Sequence, residues 1–154
     1  MNIILLKKII HTLHHIKNNF TTYLQKEKIE KKLLQKFLGL NIETTNICNA
    51  NCTFCAYQYQ TRSMGVMDFE LFKKIIIEYI EIGGGDLGLA PTVGDPLADK
   101  HIIERIKFAR SFEKIKKIGF FSNLISLGRF DIKDFVNSGL TDLTISTSAF
   151  DKNI

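Results

Sequence analysis

Residues Thr44–Tyr59, "TTNICNANCTFCAYQY", hold every cysteine of the 154-residue chain, Cys48, Cys52 and Cys55, within eight positions. A disulfide framework would strand one of three thiols and close very short loops, so reduced sulfurs acting as ligands or as a nucleophile are the better expectation. The flanking Asn49, Asn51 and Thr53 make the stretch polar, which argues against burying all three thiols. The run "LGLNIETT" (38–45) that leads into it reads as a strand, which puts the cysteines in the loop at that strand's carboxyl end.

Each chemistry open to the cluster makes its own demand. A nucleophile would need one thiol and a histidine base that the sequence does not evidently offer. Structural zinc needs four closed ligands, and no cysteine or neighbouring histidine supplies the fourth. Three thiolates suit an iron-sulfur cluster, and on a four-iron cubane they leave one iron without a protein ligand.

Outward from this loop, strand-like and helix-like segments alternate. "DLGLAP" (86–91), "KIGFFSN" (117–123) and "TDLTISTS" (141–148) read as strands from their length, their bounding turn residues and, in the last two, their β-branched and aromatic content. "DFELFKKIIIEYIEI" (68–82) reads as a helix with Phe72, Ile75, Ile76, Tyr79 and Ile80 on one face, Asp68 as its N-cap and Gly83–Gly85 as its stop. "DKHIIERIKFARSF" (99–112) repeats the pattern with Ile102, Ile103, Ile106 and Ala109, and "RFDIKDFVNSG" (129–139) does so more briefly. The glycines of "GGGD" leave a helix and enter a strand, the reverse of a phosphate-binding loop. This order predicts an α/β fold of parallel strands joined by right-handed crossovers. Ligand sites of such folds lie at the carboxyl ends of the strands, where the cysteines fall. Only "AFDKNI" follows the last strand, so its edge is expected to be unpaired.

Composition divides the chain near residue 38. Residues 1–37 carry eight lysines against two glutamates, whereas the whole chain holds 21 Lys and Arg against 16 Asp and Glu, a net charge of +5. Ile3, Leu6, Ile10, Leu13, Phe20 and Leu24 recur at helical spacing, which predicts a basic amphipathic helical arm, with a second short helix around Leu33, Leu34 and Phe37. Its apolar face packs on the body, docks on a partner or lies on an anionic membrane surface. His11, His14 and His15 read as solvated positions of that arm. Residues 38–154 form the body, near neutral in charge, and nothing there calls for nucleic acid. No apolar run reaches the roughly 20 residues needed to cross a bilayer, and "MNIILLKKII" breaks into lysines too early for a leader, so a cytoplasmic location is expected.

"CNANCTFC" resembles the signature of the radical S-adenosylmethionine (radical SAM) superfamily, C-x3-C-x-Φ-C, with Phe54 in the apolar position before the last cysteine. "PTVGDPLAD" (91–99) is similar to the family's GGEP motif, whose backbone receives the amino group of the methionine moiety; Gly94 and Asp95 match, and Val93 replaces the first glycine. The same residues also read as a turn with Asp95 as a cap and Pro96 in the first helical position. "FFSNLISL" resembles the TNG stretch through Asn123, with Leu124 where glycine is usual. "DLTISTSAF" resembles the fourth-strand stretch that borders the ribose through Ser146, with Ser148 where an acid is common.

The resemblance runs from about Leu38 to Phe150. It implies a partial (β/α) barrel, here truncated after the fourth strand, with a [4Fe-4S] cluster on Cys48, Cys52 and Cys55 and S-adenosylmethionine on the open iron. Phe54, Gly94, Asp95, Asn123, Ser146 and Ser148 are its implied cofactor-binding residues. It further implies an electron donor such as flavodoxin or ferredoxin, and reductive cleavage to a 5′-deoxyadenosyl radical that abstracts hydrogen from a substrate the sequence does not identify. Truncation would impair that activity unless a second polypeptide completes the barrel. The competing expectation is a noncatalytic, metal-stabilised binding module or inactive fragment.

Overall fold

The computed structural model describes residues 39–147 and, in the N-terminal segment, residues 17, 19, 21–23 and 25–28. The chain divides into two units, Met1–Phe37 and Leu38–Ile154. In the first, the described residues are helical and exposed, and Thr21 Oγ1 donates to the Lys17 carbonyl at 2.7 Å. The expected apolar face of the arm, its three histidines and the second short helix lie outside the described residues. Among the described residues, no helix is long and apolar enough to cross a membrane.

The second unit is built on four parallel strands in the order β1 (Gly39–Asn41), β2 (Gly85–Gly88), β3 (Ile115–Ser122) and β4 (Asp142–Ile145). Helices α1 (Phe69–Glu81), α2 (Ile102–Arg110) and α3 (Ile132–Val136) connect them in the alternation the sequence predicts. Asp68 caps α1, its carboxylate accepting from the Leu71 N–H at 3.0 Å. Gly83, Gly84 and Gly85 all take positive φ at its far end, and the Gly84 N–H returns to the Tyr79 carbonyl at 2.9 Å. That left-handed exit is one that residues with a Cβ rarely adopt.

One face of the sheet is covered. Phe72, Ile76 and Tyr79 of α1, Ile102, Ile103, Ile106 and Ala109 of α2, and Phe135 of α3 pack on Leu87, Ile115, Ile118 and Phe120 in a single core. Arg105 of α2 is also fully buried, which the apolar periodicity of that helix does not disclose. On the opposite face Phe121 is 61% exposed. Ile145, in register with Ser122 at the end of edge strand β4, faces the same side as Leu143 and is 52% exposed.

β1, β2 and β4 are shorter than their sequence patterns, whereas β3 begins two residues before "KIGFFSN". β1 ends at Asn41 because Thr44–Asn46 turn away from the sheet to pair with residues 65–67. Thr45 and Val66 form an antiparallel bridge, the Met67 N–H donates to the Thr44 carbonyl at 2.7 Å, and the Asn46 N–H to the Gly65 carbonyl. This closes residues 44–67, which contain all three cysteines, into one loop above the carboxyl end of β1.

Candidate functional site

The cysteine loop is fastened at both ends. The Asn46 side chain spans its neck, donating from Nδ2 to the Ser63 carbonyl at 2.9 Å and accepting the Gly65 N–H at 2.8 Å. Glu43, just before the neck, pairs with Arg62 and accepts the Thr92 N–H at 3.0 Å, which ties the neck to the loop after β2. Inside, the Tyr57 hydroxyl accepts the Cys48 N–H at 3.1 Å. Cys55 caps a 3-10 turn, Ala56–Tyr59.

All three cysteines are free and half-buried. Two sulfurs already accept hydrogen bonds, Cys48 Sγ from the Ala50 N–H and Cys55 Sγ from the Tyr57 N–H, each at 3.4 Å. A third donor, Asn123 Nδ2, lies 3.8 Å from Cys48 Sγ. Burial pushes the Cys48 thiol above its ordinary range; the Ala50 N–H opposes that, and the negative charges of Asp95, Cys52 and Cys55 add to it.

The loop after β2 braces this arrangement from below. Gly94 (φ 133°) lies directly against Asn46, and the Asp95 N–H donates to the Ile47 carbonyl at 2.8 Å. The Asp95 carboxylate is buried and saturated. It accepts from the Leu97 N–H at 2.9 Å, from the Ser122 hydroxyl at 2.9 and 3.0 Å, and from the Asn123 N–H at 2.8 Å. Asp95 therefore both caps the 3-10 turn Pro96–Ala98, with Pro96 in its first position, and locks the end of β3 to the loop after β2. The cap is legible in the sequence; the link to Ser122 is not.

Of the residues the sequence singled out, Cys48, Gly94, Asp95 and Asn123 form one contiguous cluster at the carboxyl ends of β1, β2 and β3. Ser146 joins it indirectly, its N–H donating to the Ser122 carbonyl at 2.9 Å. Phe54 stands 69% exposed beside Cys55. Ser148 lies outside the described residues. Glu43, Asn49, Tyr57, Arg62 and Ser126 were not anticipated. Nothing in their local spacing marks them, because each acts through a contact made by the folded loops.

The donor set fits an iron-sulfur cluster. A cubane takes one thiolate on each of three different irons, so its ligands surround it and need not converge on a point. Among the described residues, no three His, Cys, Asp or Glu side chains gather around a single-ion position. Three free thiols in one loop, two of them already accepting N–H donors, suit a cationic core that stabilises their deprotonated form.

Comparisons with known proteins agree with this geometry. The family model described as the radical SAM superfamily matches residues 42–154. The GTP 3′,8-cyclase of Thermodesulfovibrio yellowstonii is 31% identical over 117 residues, covering 74% of this chain and 36% of that protein. The GTP 3′,8-cyclase of Vibrio parahaemolyticus is 22% identical over 129 residues, covering 81% and 38%. The chain thus spans little more than a third of the length of these relatives. In fold it is similar to BtrN in complex with AdoMet and 2-DOIA, with a TM-score of 0.63 at 18% identity over 71% of this chain and 45% of that one. It is also similar to BtrN in an open conformation, with a TM-score of 0.62 at 17% identity over 76% and 53%. The α/β sheet is accordingly of the partial-barrel type, and the superfamily's cofactors are a [4Fe-4S] cluster and S-adenosylmethionine. The cysteine loop, the strand-end cluster that braces it and the family match over most of the body lead to one conclusion: the chain belongs to the radical SAM superfamily.

Proposed function

We propose that this chain forms the cluster-binding part of a radical SAM enzyme. Cys48, Cys52 and Cys55 would hold a [4Fe-4S] cluster through three thiolates, which would leave it able to bind S-adenosylmethionine. The observation that carries the reading is the loop of residues 44–67, closed at its neck, which presents three free thiols at the carboxyl edge of a parallel sheet. When bound, the cluster supplies the electron for reductive cleavage of S-adenosylmethionine to methionine and a 5′-deoxyadenosyl radical, the species that takes hydrogen from substrate.

The chain's own residues supply placement. Asn46 and Glu43 hold the neck closed, Tyr57 anchors the Cys48 backbone, and Gly94 allows the loop after β2 to approach at van der Waals distance. The turn at Gly94–Pro96 offers backbone groups to the methionine moiety, while the Asp95 carboxylate is already engaged by Ser122 and Asn123. Ser146 extends the site toward the ribose at the end of β4, and the family resemblance adds Ser148 as a second cofactor-binding residue. An external electron donor such as flavodoxin or ferredoxin completes the reaction, and further strands, from a longer chain or a second polypeptide, supply the rest of the barrel wall and the substrate groups.

The test is anaerobic reconstitution with iron and sulfide, iron counting, and spectra of the reduced protein with and without S-adenosylmethionine. The expected result is about four irons per chain and a spectrum altered by S-adenosylmethionine. Cys48→Ala should lose iron yet keep its far-ultraviolet circular dichroism. Tightly held zinc, or unfolding of Cys48→Ala, would instead indicate a metal-stabilised module without radical chemistry.

A further inference from the structure

Asn123 sits where β3 ends, and every polar atom of its side chain is committed. The Ile125 N–H donates to Oδ1 at 2.9 Å, which fixes the amide's orientation, because a backbone donor requires the oxygen on that side. Nδ2 is thereby turned toward the cysteine loop, where it donates to Asn49 Oδ1 at 3.0 Å and lies 3.8 Å from Cys48 Sγ. Asn49 in turn donates from Nδ2 to Ser126 Oγ at 2.6 Å, so the loop is tied twice to the segment after β3. The base of Asn123 is held by Asp95 through its backbone N–H. The next residue, Leu124, is the one described non-glycine residue with positive φ, at 61°. Its N–H is held by Ser122 Oγ at 3.0 Å, and a backbone strained in this way persists only where its surroundings over-determine it.

We propose that Asn123 is a positioning residue for the cluster: its amide holds the Cys48–Asn49 end of the cysteine loop and donates to the Cys48 sulfur, favouring the reduced cluster, and it does not contact S-adenosylmethionine. The proposal rests on the cluster-binding reading given above. An N–H donor stabilises charge on a ligating sulfur, and reduction adds negative charge to the cluster, so the donor raises the reduction potential. The strained turn at Leu124 aims that donor.

The informative variant is Asn123→Ser. A serine hydroxyl can still accept the Ile125 N–H and keep the turn, but it is too short to reach Cys48 or Asn49. The full chain is reconstituted as wild type and as Asn123→Ser, and each is titrated electrochemically with the reduced cluster followed spectroscopically. Amide hydrogen exchange of residues 46–50 is measured in the iron-free proteins. The expected result is an unchanged iron count, a reduction equilibrium displaced toward the oxidised form by on the order of tenfold, about 59 mV for one electron, and faster exchange in residues 46–50 with none in α2. A merely structural role would not move the potential of a variant that loads normally. When the wild type carries a cluster, an unchanged potential overturns the proposal. A wild type that takes up no cluster overturns the cluster-binding reading instead; the exchange arm then decides whether Asn123 holds the loop, with faster exchange supporting it and unchanged exchange overturning it.

Discussion

Gly94 packs against Asn46 so closely that a Cβ at position 94 would lie 3.0 Å from the Asn46 carbonyl carbon, 3.1 Å from its Cα and 3.1 Å from the Ile47 carbonyl oxygen. Backbone has little room to yield, and the φ of 133° is one that side chains rarely adopt. Gly94→Ala should therefore destabilise the body by about 1–3 kcal/mol and loosen the loop that carries Cys48. Gly128→Ala is the control, since Gly128 has open space around it and an ordinary φ. Urea unfolding midpoints of the two variants check this, and equal midpoints would remove the argument.

Arg105 and Asp99 form an ion pair at 2.7 Å with both side chains fully buried. Arg105 also donates to the Met67 carbonyl and lies over the rings of Phe69 and Phe72, 5.2 and 5.1 Å from their centroids. Met67 pairs with Thr44, so this buried arginine secures the return strand of the cysteine loop from inside the core. Arg105→Met alone should cost about 3–5 kcal/mol, because it leaves the Asp99 carboxylate buried without its partner. Combining it with Asp99→Asn, which keeps an oxygen for the His101 N–H, should cost clearly less than the sum of the two single changes. Thermal unfolding of the four proteins gives the cycle.

The hydrogen bond from Arg62 holds the Glu43 carboxyl below its ordinary value of 4.5; partial burial opposes this, and the Thr92 N–H reinforces it. A depressed carboxyl pKa contributes stability that is full above 4.5 and is lost as pH falls through the folded-state value. Wild type should be modestly more stable than Glu43→Gln at neutral pH, and the difference should shrink and vanish in acid. The pair is partly solvated, so added salt should weaken the effect. Urea midpoints across the acid range decide it, and a difference independent of pH would show that the charge on Glu43 is not involved.

Leu124 occupies a left-handed conformation while its side chain packs on the edge of the core. Leu124→Ala and Leu124→Gly remove the same packing, but only glycine releases the backbone strain. Glycine should therefore be the more stable of the two by about 1 kcal/mol, the reverse of the order expected at an ordinary φ. Chemical unfolding of both variants tests the sign.

The left-handed turn bears on a departure visible in the sequence. Leu124 stands where the resembled TNG stretch would have glycine, and its backbone is in the left-handed region that favours glycine. The substitution is tolerated because Ser122, Asp95 and the edge of the core hold the turn in place.

Everything carried by local spacing could be read along the chain. The three-cysteine loop, the apolar faces of α1 and α2, the Asp68 cap, the glycine stop and the parallel alternation of elements were all legible there, because helical and strand periods and turn chemistry are properties of neighbouring residues. The shortening of β1, the buried Arg105–Asp99 pair, the Asp95–Ser122 link and the Asn123–Asn49–Ser126 tie arise from contacts of the folded chain. Asn49 and Ser126 are 77 positions apart, and Asn46 closes its loop across 19. Contacts of that kind depend on how parallel register brings successive strand ends to one edge of the sheet, and no period along a single chain encodes that alignment.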